Sequence, residues 1–563
     1  MPNTLALIPV DLSRSALGLP SRLEHRVAGR SVLAHTLARV DRISSIQGIV
    51  LIHPRGQQPL KLVEGMSFRL PVHAFEVDAP SLQDTYSAMR VSARKIAPSS
   101  WRGGLGSTTC YDEILYAREM ANALKQHQGD SAVLIGADWL LVDPVLTREV
   151  LAIHLESPDT LQMTFSQAAP GLTGIAISRV LFEQLASSGV HIGHLLAYNP
   201  QKPQADPIGK DVCLQIPPQV RDCPHRLIYD LPRSAALIDQ LADHWDATTF
   251  ASADALQTVT TLATLSVDDA SFLPREVTLE LTPRRTTNGL IMPQHHVSLD
   301  RPDLSVDDAL TIVRQLGRDG DTLLRLGGLG DALLHPQWDV IVQAAHDAGV
   351  WGIIIDTDLL VDQPTLEKLL SLPVDAVHVR LNADTSATYR AVMTHEQDPD
   401  DHFKRVLENL QWLLNTRNAR WQKPQEFPAA RAGAPWIVPS LIKTAQTFRD
   451  METFFDRWMV YTSHAVIAPP QTGCGLMPDQ EMVKMTPPRR RPCRQLASRL
   501  TIHSNGQLAQ CDQDWLGRGS VGDARTMPLP QLVQQLIPLK EKHLQGQWDE
   551  SPLCTKCDQW HRP

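Results

Sequence analysis

The chain has 563 residues, 43% hydrophobic and 20% charged, enough for about three or four globular domains and unlike a disordered, collagen-like or disulfide-framework chain. Its 53 lysines and arginines against 62 aspartates and glutamates give a net charge of −9, which argues against a nucleic-acid partner, whose binding rests on neutralising phosphates. No apolar run reaches the roughly 18–20 residues that span a bilayer, so no membrane partner is expected. The apolar start, 1–13, lacks a basic n-region and contains Asp11, so it does not read as a signal peptide, and the expected compartment is the cytoplasm.

The first third alternates strands and helices. A strand is predicted over 5–10 and a polar stretch over 11–29. A helix follows over 31–40, capped by Ser31, and then a strand over 48–53. Another strand, 132–136, leads into Ala137-Asp138-Trp139 and a helix over 144–154, with a further strand over 160–166. This rhythm favours a parallel sheet covered by helices. An inter-domain stretch, partly helical, is read over 252–275.

A second α/β series begins with a strand over 276–282 and a helix over 306–317, with Ser305 as N-cap and Asp308 in its acidic first turn. Strands follow over 323–326, 352–356, 376–381 and 436–442. Helices are predicted over 337–348, 365–372, 402–415 and 445–457, with a Pro/Ala/Gly-rich loop over 424–435. Strand–helix units repeated this often mark a barrel or partial barrel. The run Pro487-Pro488-Arg489-Arg490-Arg491-Pro492 reads as a stiff, solvated basic connector. Beyond it, strands over 500–503 and 507–511 flank the hairpin turn Ser504-Asn505-Gly506.

The eight cysteines are unevenly placed. Cys110, Cys213, Cys223 and Cys474 are scattered, and Cys474 reads as a small core residue distant from the others. Cys493 and Cys511, separated by 17 residues, precede the CxxC of Cys554 and Cys557. In a reducing compartment such clustering points to metal before disulfide. Four thiolates complete a ligand set for an iron–sulfur cluster or for zinc, and His561 keeps zinc open.

The stretches Cys493-Arg494-Gln495-Leu496, 500–514 around the Asn505-Gly506 turn, Val521-Gly522-Asp523 and 552–560 around the CxxC resemble a SPASM/twitch module. The resemblance implies one auxiliary [4Fe–4S] cluster held by Cys493, Cys511, Cys554 and Cys557. Such modules follow a radical S-adenosylmethionine (SAM) core, a partial (β/α)6 barrel, and the middle of the chain is similar to that core. Residues 276–284 resemble its first strand. Gly327-Gly328-Leu329-Gly330-Asp331 resembles the element that contacts the SAM amino group, making Gly327, Gly328 and Asp331 candidate SAM residues. Leu333-Leu334-His335-Pro336 and 383–390 also resemble family stretches. The family's CxxxCxxC, however, falls on Arg285, Gly289 and Met292. Arginine donates no lone pair, glycine has no side chain, and methionine is a weak ligand. The expectation is an inherited barrel without radical chemistry.

The opening residues 5–10, 19–23 and 27–37 resemble nucleotidyltransferases of GT-A-like fold, the cytidylyltransferase type in particular. The resemblance implies a nucleotide site with Asp138, in Gly136-Ala137-Asp138, as a Mg²⁺ ligand, a residue that also reads as a helix cap or turn; Arg14, Arg22 and Arg26 read either as binders of a phosphate or sugar nucleotide or as solvated loop arginines. The loop Asp11-Leu12-Ser13-Arg14-Ser15-Ala16-Leu17-Gly18 departs from the family, with one glycine and an acidic residue where successive N–H groups should meet phosphate. A second glycine-rich loop, 101–109, precedes a helical run over 112–125 and reads as a mobile surface loop.

The expected architecture is α/β, with a Rossmann-like GT-A domain over 1–255, a partial (β/α)6 barrel over 270–486 and a small SPASM/twitch cluster domain over 487–563. Three functions stay open. One is an iron–sulfur protein with a lost SAM-cleaving site. Another is a nucleotidyl- or sugar-nucleotide transferase using the first domain. The third is a non-catalytic partner of an intact radical SAM enzyme.

Overall fold

The computed structural model describes residues 2–78, 85–265, 272–394, 399–421 and 433–562. The chain divides into two compact units, Met1–Val267 and Asp268–Pro563. Parts of the expected inter-domain stretch (266–271) and of the expected Pro/Ala/Gly-rich loop (424–432) lie outside the described residues.

Among the described residues the first unit is built on a seven-stranded sheet: β1 (Thr4–Pro9), β2 (Gly48–Pro54), β3 (Val72–Val77), β4 (Ser131–Leu134), β5 (Met163–Ser166), β6 (Ile175–Ser178) and β7 (Cys213–Leu214). Their order is 3-2-1-4-6-5-7. β1 to β4 are parallel, β6 runs antiparallel to β4 and β5, and β7 is parallel to β5. The central strands are apolar on both faces, as Leu5, Leu7, Ile49 and Leu51 illustrate, because helices cover both sides. Winding reverses between β1 and β4, and right-handed crossovers put the first and second sets of helices on opposite faces. The crevice at the carboxyl ends of those two strands is where ligands enter such sheets. The helix Val32–Val40 starts at Ser31, whose Oγ accepts from Ala34 N at 3.2 Å, as the sequence predicts. The run expected to be helical from 112 begins instead as a short 3-10 turn, and the helix itself is Ala117–Gln126.

Among the described residues the second unit has nine strands: β8 (Glu276–Leu279), β9 (Leu323–Leu326), β10 (Gly352–Thr357), β11 (Ala376–Arg380), β12 (Trp436–Ile442), β13 (Val466–Ala468), β14 (Arg499–Ile502), β15 (Gln507–Leu508) and β16 (Gly522–Asp523). β8 to β13 are parallel and neighbours in chain order. Six strands wound one way put every right-handed crossover on one face, an incomplete (β/α)6 barrel. The tail is not a separate layer. β14 pairs parallel with β8, Leu500 opposite Val277, and β15 and β16 extend the same sheet as antiparallel strands. Residues 270–486 and 487–563 therefore share one sheet.

Side chains alternate across this sheet with period 2. Val277, Leu279, Leu324, Leu326, Ile353, Ile355, Val377 and Val379 enter the core under the helices. Burying each is worth about 1.5–3 kcal/mol. Their neighbours Glu276, Thr278, Arg325, Asp356, His378 and Arg380 face the other way, into the hollow of the barrel.

Candidate functional sites

The hollow face of the barrel encloses a cavity of about 300 Å³. Its charges are paired across strands. Arg325 Nε lies 3.0 Å from Glu276, and its NH1 lies 2.8 Å from Asp356. His378 Nδ1 and Arg380 NH2 each approach Asp356 at 3.3 Å. Burial opposes the charge on Asp356, but Arg325, His378 and Arg380 outweigh it and hold the carboxyl well below the usual carboxylate range. Arg301 closes on Glu280 at 2.6 and 2.8 Å.

The loop after β8 carries the three positions where the family resemblance expects cysteines. Arg285 forms a buried ion pair with Asp358, its Nε 3.1 Å from Oδ2, and Thr287 Oγ1 donates to the same oxygen at 2.6 Å. Gly289 is pressed on the carboxyl end of the helix Ser386–Met393: a Cβ there would lie 2.2 Å from the Val392 carbonyl oxygen. Met292 is buried in the core.

Of the candidate SAM residues, Gly328 borders the cavity with φ +81°. Arg380 donates to the carbonyls of Gly328 at 2.8 Å and Gly330 at 3.0 Å, and Leu329 N donates to Glu280 at 3.1 Å. The turn's polar groups are thus engaged by the chain itself. Gly327 leaves room for Asp356, whose Oδ2 would lie 2.5 Å from a Cβ there. Asp331 is fully buried and accepts from Thr357 Oγ1, Asp358 N and Leu333 N at 2.8–3.0 Å. Burial and the charge of Asp358 push it up to about 6. Its visible work is to hold the loops after β9 and β10 together.

The tail cysteines do converge. Cys493, Cys511, Cys554 and Cys557 line one pocket. Cys474 lines it as well, a correction to its expected place as a distant core thiol. Gln510 Nε2 donates to Cys554 Sγ at 3.2 Å, and His543 Nε2 lies 3.4 Å from that sulfur. Gln559 N donates to Cys557 Sγ at 3.3 Å. Burial raises the thiols of Cys493, Cys511 and Cys554, with their mutual proximity adding to it. Cys557 is the exception, drawn down to about 7 by the hydrogen bond from Cys474. His543, not His561, lines the pocket, and so does Arg490 from the basic run read as a solvated connector. Arg490 stacks on Trp548 at 5.1 Å and donates to the Cys554 carbonyl at 2.8 Å.

The donor set fits a cluster. A tetrahedral ion with Zn–S of about 2.3 Å draws its four sulfurs to about 3.8 Å apart. Among the described residues no three of these sulfurs lie within 4.8 Å of one another. A cubane, which takes one cysteine on each of four irons, accepts the wider spacing.

In the first unit the loops after β1 and β4 meet the crevice. Several amides of the first loop are engaged by the chain. Leu12 N donates to Gln57, Ser13 N to Asp11, Ser15 N to Leu19 O, Gly18 N to Ser15 O and Ser21 N to Ser13 O, at 2.7–3.2 Å. Arg14 and Arg26 are exposed and Arg22 is half-buried. Asp138 sits at the carboxyl end of β4, where burial, with the charge of Asp230 behind it, pushes its carboxyl up to about 7. Asp230 was not singled out in the sequence. It is clamped by Arg226, with Nε to Oδ1 2.8 Å, and Arg226 also binds Glu113 at 2.7 Å. The 101–109 loop is packed instead of mobile: Thr108 and Thr109 are fully buried, and Trp101 stacks on Phe165 at 5.5 Å.

No family model matches the chain. An uncharacterized protein of Treponema pallidum (strain Nichols) is 22% identical over 340 residues, spanning 58% of this chain and 86% of its own. Among solved structures, BtrN in complex with AdoMet and 2-DOIA aligns with 51% of this chain and 93% of its own, at 12% identity and a TM-score of 0.34. Streptococcus suis SuiB bound to precursor peptide SuiA aligns over 51% and 71%, at 13% identity and a TM-score of 0.39. A cytidylyltransferase from Leptospira borgpetersenii serovar Hardjo-bovis (strain JB197) aligns over 47% and 93%, at 14% identity and a TM-score of 0.31. Among the described residues, no helix is long and apolar enough to cross a membrane.

Proposed function

We propose that the second unit is an iron–sulfur protein of SPASM/twitch type that holds one [4Fe–4S] cluster and does not cleave SAM. Cys493, Cys511, Cys554 and Cys557 would hold the cluster. When bound, the cluster would supply one-electron storage. The observation that carries this reading is the contrast between five cysteines lining one pocket and the buried Arg285–Asp358 pair on the loop where the radical cluster would be ligated. A guanidinium cannot replace a thiolate, and Arg380 donates to the Gly328 carbonyl of the SAM-like turn at 2.8 Å.

The barrel then serves as a scaffold with a polar hollow, and the paired charges on its inner face keep that hollow formed. Binding of Mg²⁺–nucleotide by the first unit is disfavoured on the same kind of ground. Phosphate needs free backbone donors, and the amides of Leu12, Ser13, Ser15, Gly18 and Ser21 in and beside the loop after β1 are already engaged.

The test is anaerobic reconstitution with iron and sulfide, reduction with dithionite, and addition of SAM. The expected result is a reduced-cluster EPR signal, lost in Cys511→Ser, with no release of methionine and deoxyadenosine. Release of those products by the wild-type protein would overturn the reading.

A further inference from the structure

We propose that the hollow of the barrel is a site of proton abstraction in its own right, with His378 as the base and, as substrate class, a small neutral molecule that loses a proton from carbon. The step needs neither iron nor SAM.

His378 lies on β11 with its side chain lining the cavity. Its Nδ1 is buried, makes no hydrogen bond among the described residues, and stands 3.3 Å from Asp356 Oδ1. Nε2, on the far edge of the ring, has no partner among the described residues. An imidazole with an ionised carboxylate beside one nitrogen and open space beside the other is arranged as a general base. Arg325 at 2.8 Å and Arg380 at 3.3 Å keep Asp356 ionised. Asp356 then favours the tautomer with its proton on Nδ1. The Nε2 lone pair is left for a substrate, and the same carboxylate stabilises the imidazolium that forms.

The other groups around the imidazole do not compete for this role. Arg380, on the same strand, is also occupied by the Gly328 and Gly330 carbonyls. β12 sets apolar Val438 opposite His378 in register. His464, just before β13, is drawn down to about 4 by burial and by the charge of His378, so it stays neutral.

The cavity also suits the charge that develops. Four guanidinium groups and four carboxylates line it among the described residues, so a neutral molecule enters without leaving a charge unpaired. Arg285, Arg325 and Arg380 each reach a carboxylate, at 3.1, 2.8 and 3.3 Å. Arg499 does not: its Nε lies 3.7 Å from Glu276 and its NH1 3.9 Å from Asp512. Of the four it alone makes no side-chain hydrogen bond among the described residues, which leaves its N–H groups for an oxygen that turns negative as the proton departs. At about 300 Å³ the cavity is at the small end of ligand pockets, so the substrate is small.

The probe is 5-nitrobenzisoxazole, a neutral molecule. A base takes the proton on its ring carbon, and the C–H electron pair becomes the third bond of a nitrile. The N–O bond breaks onto oxygen, a coloured phenoxide leaves, and the imidazolium returns its proton to water. Full-length wild type is compared with His378→Gln and His378→Ala. The expected result is saturable turnover about 10²-fold or more above free imidazole at equal concentration. His378→Gln should lower kcat at least tenfold, and added imidazole should restore part of the turnover of His378→Ala. Wild type no faster than free imidazole, or a loss below tenfold in folded His378→Gln, would overturn the proposal. Because a variant can fail to fold, wild type is also treated with diethyl pyrocarbonate, which acylates neutral imidazole, and mapped by mass. Turnover is expected to fall in step with label on His378. Full label with turnover intact, or no label on His378, would overturn the assignment.

Discussion

The Arg285 guanidinium and the Asp358 carboxylate bury each other, with side chains 4% and 0% exposed. Removing one member of such a pair strands the other's charge in a dry site, at a cost of about 3–5 kcal/mol. Arg285→Ala is expected to lose about that much stability in urea denaturation. Arg285→Met combined with Asp358→Leu, which removes both charges, should recover most of it. A loss below about 1 kcal/mol in the single variant would show that the pair does not hold the loop.

Restoring the three missing cysteines should not restore a second cluster. In the variant Arg285→Cys, Gly289→Cys, Met292→Cys, the new Cβ at position 289 meets the Val392 carbonyl oxygen at 2.2 Å and the Met393 carbonyl carbon at 2.4 Å. Backbone cannot step aside as a flexible side chain can. Iron per chain is expected to stay at the wild-type value, with a lower melting temperature. A doubled iron content would mean that the loop opens to accept a cluster.

Asp138 supplies a pH test in the first unit. Its carboxyl rises from 3.8 to about 7 on folding, through burial and the charge of Asp230. Between those values the folded chain holds a proton that the unfolded chain has released, so stability falls as pH rises through this window. Asp138→Asn removes that dependence. Its melting temperature relative to wild type is expected to climb from pH about 5 to pH about 8. A pH-independent difference would contradict the assignment. With Arg226 already on Asp230, added Mg²⁺ is expected to leave the wild-type melting temperature unchanged at the higher pH.

Gln510 offers a test in the cluster pocket. Its Nε2 donates to Cys554 Sγ at 3.2 Å. Hydrogen bonds to cluster sulfurs stabilise the more negative, reduced state. Gln510→Leu is therefore expected to lower the reduction potential in an EPR-monitored titration, with iron content unchanged. An unmoved potential would mean that Cys554 is not a ligand.

Much of this was legible in the sequence where the signal was local. Ser31 and Ser305 cap the helices they were expected to cap, because an N-cap needs only the next three residues. Strands Leu323–Leu326 and Trp436–Ile442 fall where their apolar runs put them. Strand Val72–Val77 was missed because it is a partly exposed edge without a strong apolar pattern. The site was legible as far as spacing reaches. Cys493, Cys511, Cys554 and Cys557 line one pocket. Cys474, His543 and Gln510 were missed, since only tertiary folding brings them to the sulfurs. Cys474 did carry one signal, its place between two glycines in Gly473-Cys474-Gly475. The separate tail domain gave way because β14 completes its hydrogen bonds on β8, a pairing that no local pattern announces.

The most direct measurement is iron, acid-labile sulfide and zinc per chain after anaerobic purification of the full-length protein. About four irons and four sulfides with no zinc is the expected result, one cluster on the tail cysteines and none at Arg285, Gly289 and Met292. About eight irons, or about one zinc and no iron, would contradict it.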